Sequence, residues 1–128
     1  MGLKTWAEGN YSHAEGAYTH AKSTGGHAEG FNTKAYGNYS HAEGYHTVAN
    51  YEGSHTGGQY TRSGRNYQTV VGEYNEVVTD ALFVVGNGTS TSDRKNAFEV
   101  KTDGGVTLEG KVTMKYDSAS KALKFVFV

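Results

Sequence analysis

The sequence predicts an all-β chain, with a parallel β-solenoid over residues 1–76 and a β-rich region over residues 77–128. Three observations predict it. Ala recurs every seven residues from Ala7 to Ala49. The tetrapeptide His-Ala-Glu-Gly recurs every fourteen, at 13–16, 27–30 and 41–44. The composition then changes: all six His lie before residue 56, and every Val except Val48 lies at residue 70 or later.

The seven-residue unit reads Ser/Thr-x-Ala-x-Gly plus two linking residues. Thr56, Ser63 and Val70 continue the Ala position, and Gly stands two residues after that position at 9, 16, 30, 37, 44, 58 and 72. A period of seven suggests a coiled coil, but a coiled coil needs bulky apolar side chains at two positions of each heptad. Here those positions carry Ala, Gly and Ser, and interior Gly costs a helix ~1 kcal/mol each. Five residues of strand and two of bend fit instead. In Ser12–Gly16 the pleat puts Ser12, Ala14 and Gly16 on one face and His13 and Glu15 on the other. So small a face packs only against another small face. Two strands back to back then make one flattened turn of fourteen residues.

The strands around Ala7, Ala21, Ala35 and Ala49 carry varied outward residues, whereas the His-Ala-Glu-Gly strands repeat theirs. Varied residues fit solvent, and fixed ones fit a repeated packing partner. Five turns are expected between about residue 5 and residue 75. Their methyls and hydroxyls contribute little at ~25 cal/mol per Å² of buried apolar area. A single roll is therefore marginal, and the expected state is an obligate oligomer that buries its His/Glu side against copies of itself.

Beyond residue 76, Ala81–Val85 is an apolar run ended by Gly86-Asn87-Gly88, which predicts a buried strand and a turn. Residues 97–101, 106–109, 112–116 and 121–128 are further strand candidates. The expected cap core is Leu82, Phe83, Val85, Phe98, Val100, Leu123, Phe125 and Phe127. Such a region would cover the open last strand of the solenoid and lock the oligomer.

Several functions are excluded by composition. The chain has 128 residues and a net charge of −1. That sizes one domain and argues against nucleic-acid binding driven by phosphate. Without Cys there is no disulfide framework and no thiolate zinc site. No apolar run approaches the ~20 residues of a membrane span, so no membrane insertion is expected. Residues 1–6 carry no apolar secretory segment.

The recurring residues His13, Glu15, His27, Glu29, His41, Glu43 and His55 form a ladder on one face. Imidazole and carboxylate two apart on a strand can hydrogen-bond or ligate a metal. The ladder is read as a polar network that fixes register, with no cofactor; His13, Glu15, His27, Glu29, His41 and Glu43 are the residues that would hold a metal. A straight ladder offers no Ser-His-Asp order and no paired-carboxylate cleft. Tyr11, Tyr18, Tyr39, Tyr60, Tyr67 and Tyr74 fall in the bends, with Phe31 and Tyr45 beside them, and are read as edge cover. Val85-Gly86-Asn87-Gly88 is not a dinucleotide fingerprint, because Thr91 stands where the third Gly is needed.

The repeats from Ser12-His13-Ala14-Glu15-Gly16 to Ser40-His41-Ala42-Glu43-Gly44 resemble the head repeats of YadA-like trimeric autotransporter adhesins. Similar repeats occur in bacteriophage tail-fibre and appendage proteins. The segments Asp80–Ser90, Arg94–Val100 and Asp103–Val106 resemble the region C-terminal to such repeats in phage fibres, some of which continue into an intramolecular chaperone. The resemblance implies a left-handed parallel β-roll of fourteen-residue turns assembled as a homotrimer, with the ladder at the trimer axis. It implies a non-enzymatic structural and receptor-binding segment of a phage tail fibre or appendage, located on the virion. A host cell-surface glycan or protein would be its receptor. The alternative is the head of a bacterial surface adhesin. A fibre-borne glycan depolymerase or a fragment of a self-cleaving fibre protease ranks below both.

Overall fold

The computed structural model describes residues 2–128; Met1, the first residue of the expected repeat region, lies outside the described residues. Every regular element among the described residues is a strand. Nine short strands build the repeat: β1 (Trp6–Ala7), β2 (His13–Ala17), β3 (His20–Ala21), β4 (His27–Phe31), β5 (Lys34–Ala35), β6 (His41–Ala42), β7 (Val48–Ala49), β8 (His55–Thr56) and β9 (Thr69–Glu73). Five longer or antiparallel strands come next: β10 (Ala81–Asn87), β11 (Asn96–Lys101), β12 (Val106–Leu108), β13 (Val112–Asp117) and β14 (Ala122–Phe127).

The strands form two sheets. One runs β1-β3-β5-β7, and the other runs β2-β4-β6-β8-β9-β10 and on through β11 to β14. The chain thus winds a parallel β-solenoid of about six turns. In the parallel pairings the Cα partners stand fourteen residues apart, from Trp6 opposite His20 to Glu73 opposite Asn87. The sequence predicts five turns ending near residue 75. A sixth exists because β10 pairs parallel with β9 in the same register, Phe83 opposite Thr69 and Gly86 opposite Gly72. The sheet therefore runs unbroken across the boundary expected at residue 76.

The interior is small, as the alternation requires. Ala21, Ala28, Ala35, Ala42 and Ala49 are 0% exposed, and Thr19, Thr33, Ser40, Thr47, Ser54 and Thr61 are buried beside them. Closeness has a cost in hydrogen bonding. Thr47 and Thr61 donate to the carbonyls of Glu43 and Gly57 at 2.9 Å. The hydroxyls of Thr19, Thr33, Ser40 and Thr56 are buried with no partner. Gly30 shows how near the turns approach: its φ is +109°, and a Cβ there would press on the carbonyl oxygen of Gly44 in the next turn.

The bends obey a rule that composition only hints at. Lys4, Tyr11, Tyr18, Gly25, Asn32, Tyr39, His46, Gly53, Tyr60, Tyr67 and Tyr74, every seventh residue, have φ between +42° and +64°. Asn and Gly tolerate this left-handed region; a Tyr there costs roughly 1–2 kcal/mol. Packing offsets part of that cost. The Tyr39 ring lies over Gly25 and the Tyr67 ring over Gly53, at places where a Cβ would collide. On the opposite edge His46 stacks on Tyr60 and Tyr60 on Tyr74, at centroid distances of 4.6 and 4.8 Å.

The solenoid is finished by amides, not by the expected apolar core. The β1-β3-β5-β7 sheet stops where Val48 makes a lone bridge to Arg62. There the buried Asn75 acts as a surrogate strand. Its Oδ1 accepts from the Arg62 N–H at 2.8 Å, and its Nδ2 donates to the Arg62 carbonyl at 3.0 Å. Buried Gln68 accepts from the Gly64 N–H at 2.7 Å and donates to the carbonyls of Val78 and Ala81 at 3.0 and 2.8 Å. Asn96 makes the same paired contacts to Glu76, both at 2.9 Å. These amides satisfy backbone groups where the ladder runs out.

The cap expectations need correction. Ala81 and Val84 are the buried apolar side chains of β10; Phe83 and Val85 are half-buried, and Leu82 is exposed. Phe83 and Phe98 meet edge to face at 6.3 Å, and Phe98 and Val100 are also half-buried. Gly86 and Asn87 lie within β10, and the turn comes later, closed by the Ser90–Asp93 bridge. Leu123, Phe125 and Phe127 are 57%, 51% and 75% exposed. The reason is topological. β11 to β14 form an antiparallel meander that continues one sheet edgewise, so β14 pairs only with β13 and no layer among the described residues covers it.

Candidate functional site

The stacked register places the His/Glu ladder on the outer face of β2, β4, β6 and β8. His13, His27, His41 and His55 are consecutive Cα partners, as are Glu15 and Glu29. Inward Ala14, Ala28, Ala42 and Thr56 sit on strands a strand spacing of ~4.8 Å apart, so the imidazoles meet. His27 and His41 stack at 4.5 Å with planes 2° apart, and His41 and His55 at 4.8 Å and 7°. His13 meets His27 at 5.0 Å and 87°.

The carboxylate partners are not those that spacing along one strand suggests. His41 Nε2 donates to Glu29 at 3.4 Å, and His55 Nε2 donates to Glu43 at 2.9 Å. These two His reach diagonally to the Glu twelve residues earlier, on the preceding turn. Only His13 bonds to the Glu of its own strand, Glu15 at 3.3 Å. Position 1, where its diagonal partner would stand, is a Met. His27 Nε2 lies 3.9 Å from Glu29, beyond hydrogen-bond reach, and is shielded from solvent without a partner.

The diagonal rule uncovers a pair that spacing within a strand misses. Glu8 and His20 are also twelve apart, on the other sheet, and lie 3.0 Å from each other. A search for Glu and His at that offset finds these three pairs and a fourth, Glu15 and His27, which the structure leaves unbonded.

The ladder residues are half-exposed or exposed. The hydrogen bond from His55 holds the Glu43 carboxyl below its usual range, helped by the charges of His55 and His41, while partial burial opposes the shift. Glu15, Gly16, Glu29, Gly30, Glu43 and Gly44 line a shallow groove alongside. Among the described residues no Lys or Arg pairs with Glu15, Glu29 or Glu43. The geometry therefore presents a column of carboxylates countered only by imidazoles. That arrangement can share protons, hold a cation, or receive a matching surface.

The aromatic bends form a second column. Phe31 stacks on Tyr45 at 5.4 Å, and Asn32 Nδ2 donates to His46 Nδ1 at 3.0 Å. No protein-family model, no curated protein and no solved structure matches this chain.

Proposed function

We propose that the chain is a structural, receptor-binding segment of a homotrimeric fibre or appendage on a bacteriophage virion, without enzymatic activity. The observation that carries this reading is the uncovered ribbon β13–β14. Leu123, Phe125, Val126 and Phe127 are all exposed, on both faces of one strand. Contiguous apolar surface of this kind marks an interaction site. The chain as a whole exposes 7101 Å², against about 6,600 Å² for a typical monomer of its mass.

The repeat supports the choice of partner. Its resemblance to fibre and adhesin head repeats implies a left-handed roll of fourteen-residue turns, three to an assembly. Three copies of the ribbon then cover one another, and the His/Glu ladders face the common axis. The varied outer residues remain free for a host cell-surface glycan or protein.

Light scattering tests the assembly. The expected molar mass is three times 13.8 kDa. A folded, monodisperse monomer at micromolar concentration contradicts the proposal. Binding of the labelled trimer to bacterial cells treated with periodate or with protease then assigns the receptor to glycan or to protein.

A further inference from the structure

We propose that His13, Glu15 and His27 form a binding site for one divalent first-row transition-metal ion of the zinc, cobalt or nickel class. One ligand atom from each residue lies within 4.8 Å of the others. Zinc takes imidazole nitrogen and carboxylate oxygen at about 2.0–2.2 Å, which spaces its donors by about 3.4 Å. Small side-chain rotations close that difference, and His13 and Glu15 are already 3.3 Å apart. Two imidazoles and one carboxylate suit these ions and leave a position for water.

Three features favour this triad. The first is the state of His27. Its Nε2 is shielded from solvent and makes no hydrogen bond. Such an orphaned acceptor or donor is costly, and a metal bond removes the cost. The second is ring orientation. An imidazole lone pair lies in the ring plane, so two rings ligate one ion only when their planes are free to converge. His13 and His27 stand at 87°. The neighbouring set of His27, Glu29 and His41 has its donors equally close. Its rings are stacked at 2°, which aims their lone pairs side by side, and Glu29 already accepts from His41. The third is charge. The groove beside the triad is lined by Glu15, Glu29 and Glu43 without a Lys or Arg ion pair among the described residues. A bound cation neutralises the end of that column.

The site goes beyond the fibre reading and does not depend on it, since all three ligands come from one chain. Cobalt(II) titrated into the full chain reports it through visible absorption, and zinc calorimetry gives the stoichiometry. One ion per chain is expected, with affinity falling in acid as protonated imidazole loses its lone pair. His13→Gln and His27→Gln should each weaken binding about tenfold or more, at least what loss of an outer-shell partner costs. Glu15→Gln should weaken it as well, and His55→Gln should leave it unchanged. Zinc should also shield His13 and His27, but not His46, from carbethoxylation in the parent protein. An absence of saturable cobalt binding overturns the proposal. So does binding that survives His13→Gln, or that His55→Gln weakens as much as His27→Gln does.

Discussion

The repeat turns and the C-terminal ribbon bury opposite things. The turns carry Ala, Ser, Thr and Gly, and the inner ones enclose Ala21, Ala28, Ala35, Ala42 and Ala49 completely. The ribbon carries Leu123, Phe125, Val126 and Phe127, and it leaves them in water. A core can therefore be closed by side chains of almost no apolar area, provided the backbones approach closely enough. A strand can also alternate apolar residues as a core strand does and still have no core to face. Between the two lies a third solution, the amides of Gln68, Asn75 and Asn96, which end the solenoid by hydrogen bonding rather than by hydrophobic cover.

The largest effect should come from breaking the close approach. Gly30→Ala puts a methyl group against the Gly44 carbonyl at a φ of +109°, a conformation that costs an L-residue about 1–3 kcal/mol before any clash is counted. A loss of roughly 3 kcal/mol or more in chemical denaturation is expected. A loss under about 1 kcal/mol would show that the turns can spread, and the small-residue core would lose its rationale.

Asn75→Ala comes next. It leaves the Arg62 N–H and carbonyl without their partners, and a buried unsatisfied group costs about 1–3 kcal/mol. The expected loss is about 2–3 kcal/mol. An unchanged denaturation midpoint would return the cap to its apolar residues.

A smaller change of opposite sign should come from Thr33→Val. The Thr33 hydroxyl is buried and unpartnered, so an isosteric methyl group should be neutral or stabilising by up to about 1 kcal/mol. The control is Thr47→Val, which loses a hydrogen bond to the Glu43 carbonyl and should destabilise by about 1 kcal/mol. Equal effects from the two would mean that the interior hydroxyls are not distinguished by their bonding.

The smallest effect concerns pH. Glu43 is held below the usual carboxylate range, first by its hydrogen bond from His55. A lowered folded value means a contribution that is complete above the ordinary glutamate range and lost as pH falls through the folded value, below that range. Glu43 is 43% exposed, so solvent screening limits the contribution to about 0.3 kcal/mol. Glu43→Gln should lower stability slightly at neutral pH, where the pair contributes in full, and so flatten the acid limb of the melting curve. A Glu43→Gln protein whose acid limb matches the parent's would remove the pair from the energetics.

Parts of this structure are legible in the sequence for reasons that lie in particular residues. Ala7 to Ala49 at a fixed interval announce a strand, a bend and a small interior, because only close-packed turns demand the same small residue each time. The ladder is legible as a face, yet its true pairing is not. Side chains on adjacent turns lie as close as those two apart on one strand, and Glu29–His41 shows the diagonal winning. The positive-φ bends are half visible: Tyr marks most of them, but aromatic composition does not state a backbone angle. Asn75 and Gln68 leave no signal, since a single amide carries no period. Leu123, Phe125 and Phe127 mislead because alternation identifies a face and does not say which chain covers it.

If copies of the same chain cover the ribbon's apolar faces, those faces are shielded only in the assembly. Hydroxyl-radical footprinting read by mass spectrometry tests this side chain by side chain. Tyr11, 94% exposed on a bend, is the internal standard for free access. Leu123, Phe125 and Phe127 should be protected relative to Tyr11 in the assembled protein, and dilution should restore their labelling as the copies separate. Labelling of Phe125 and Phe127 at the full rate at every concentration, in a protein that remains folded, would contradict self-assembly through the ribbon.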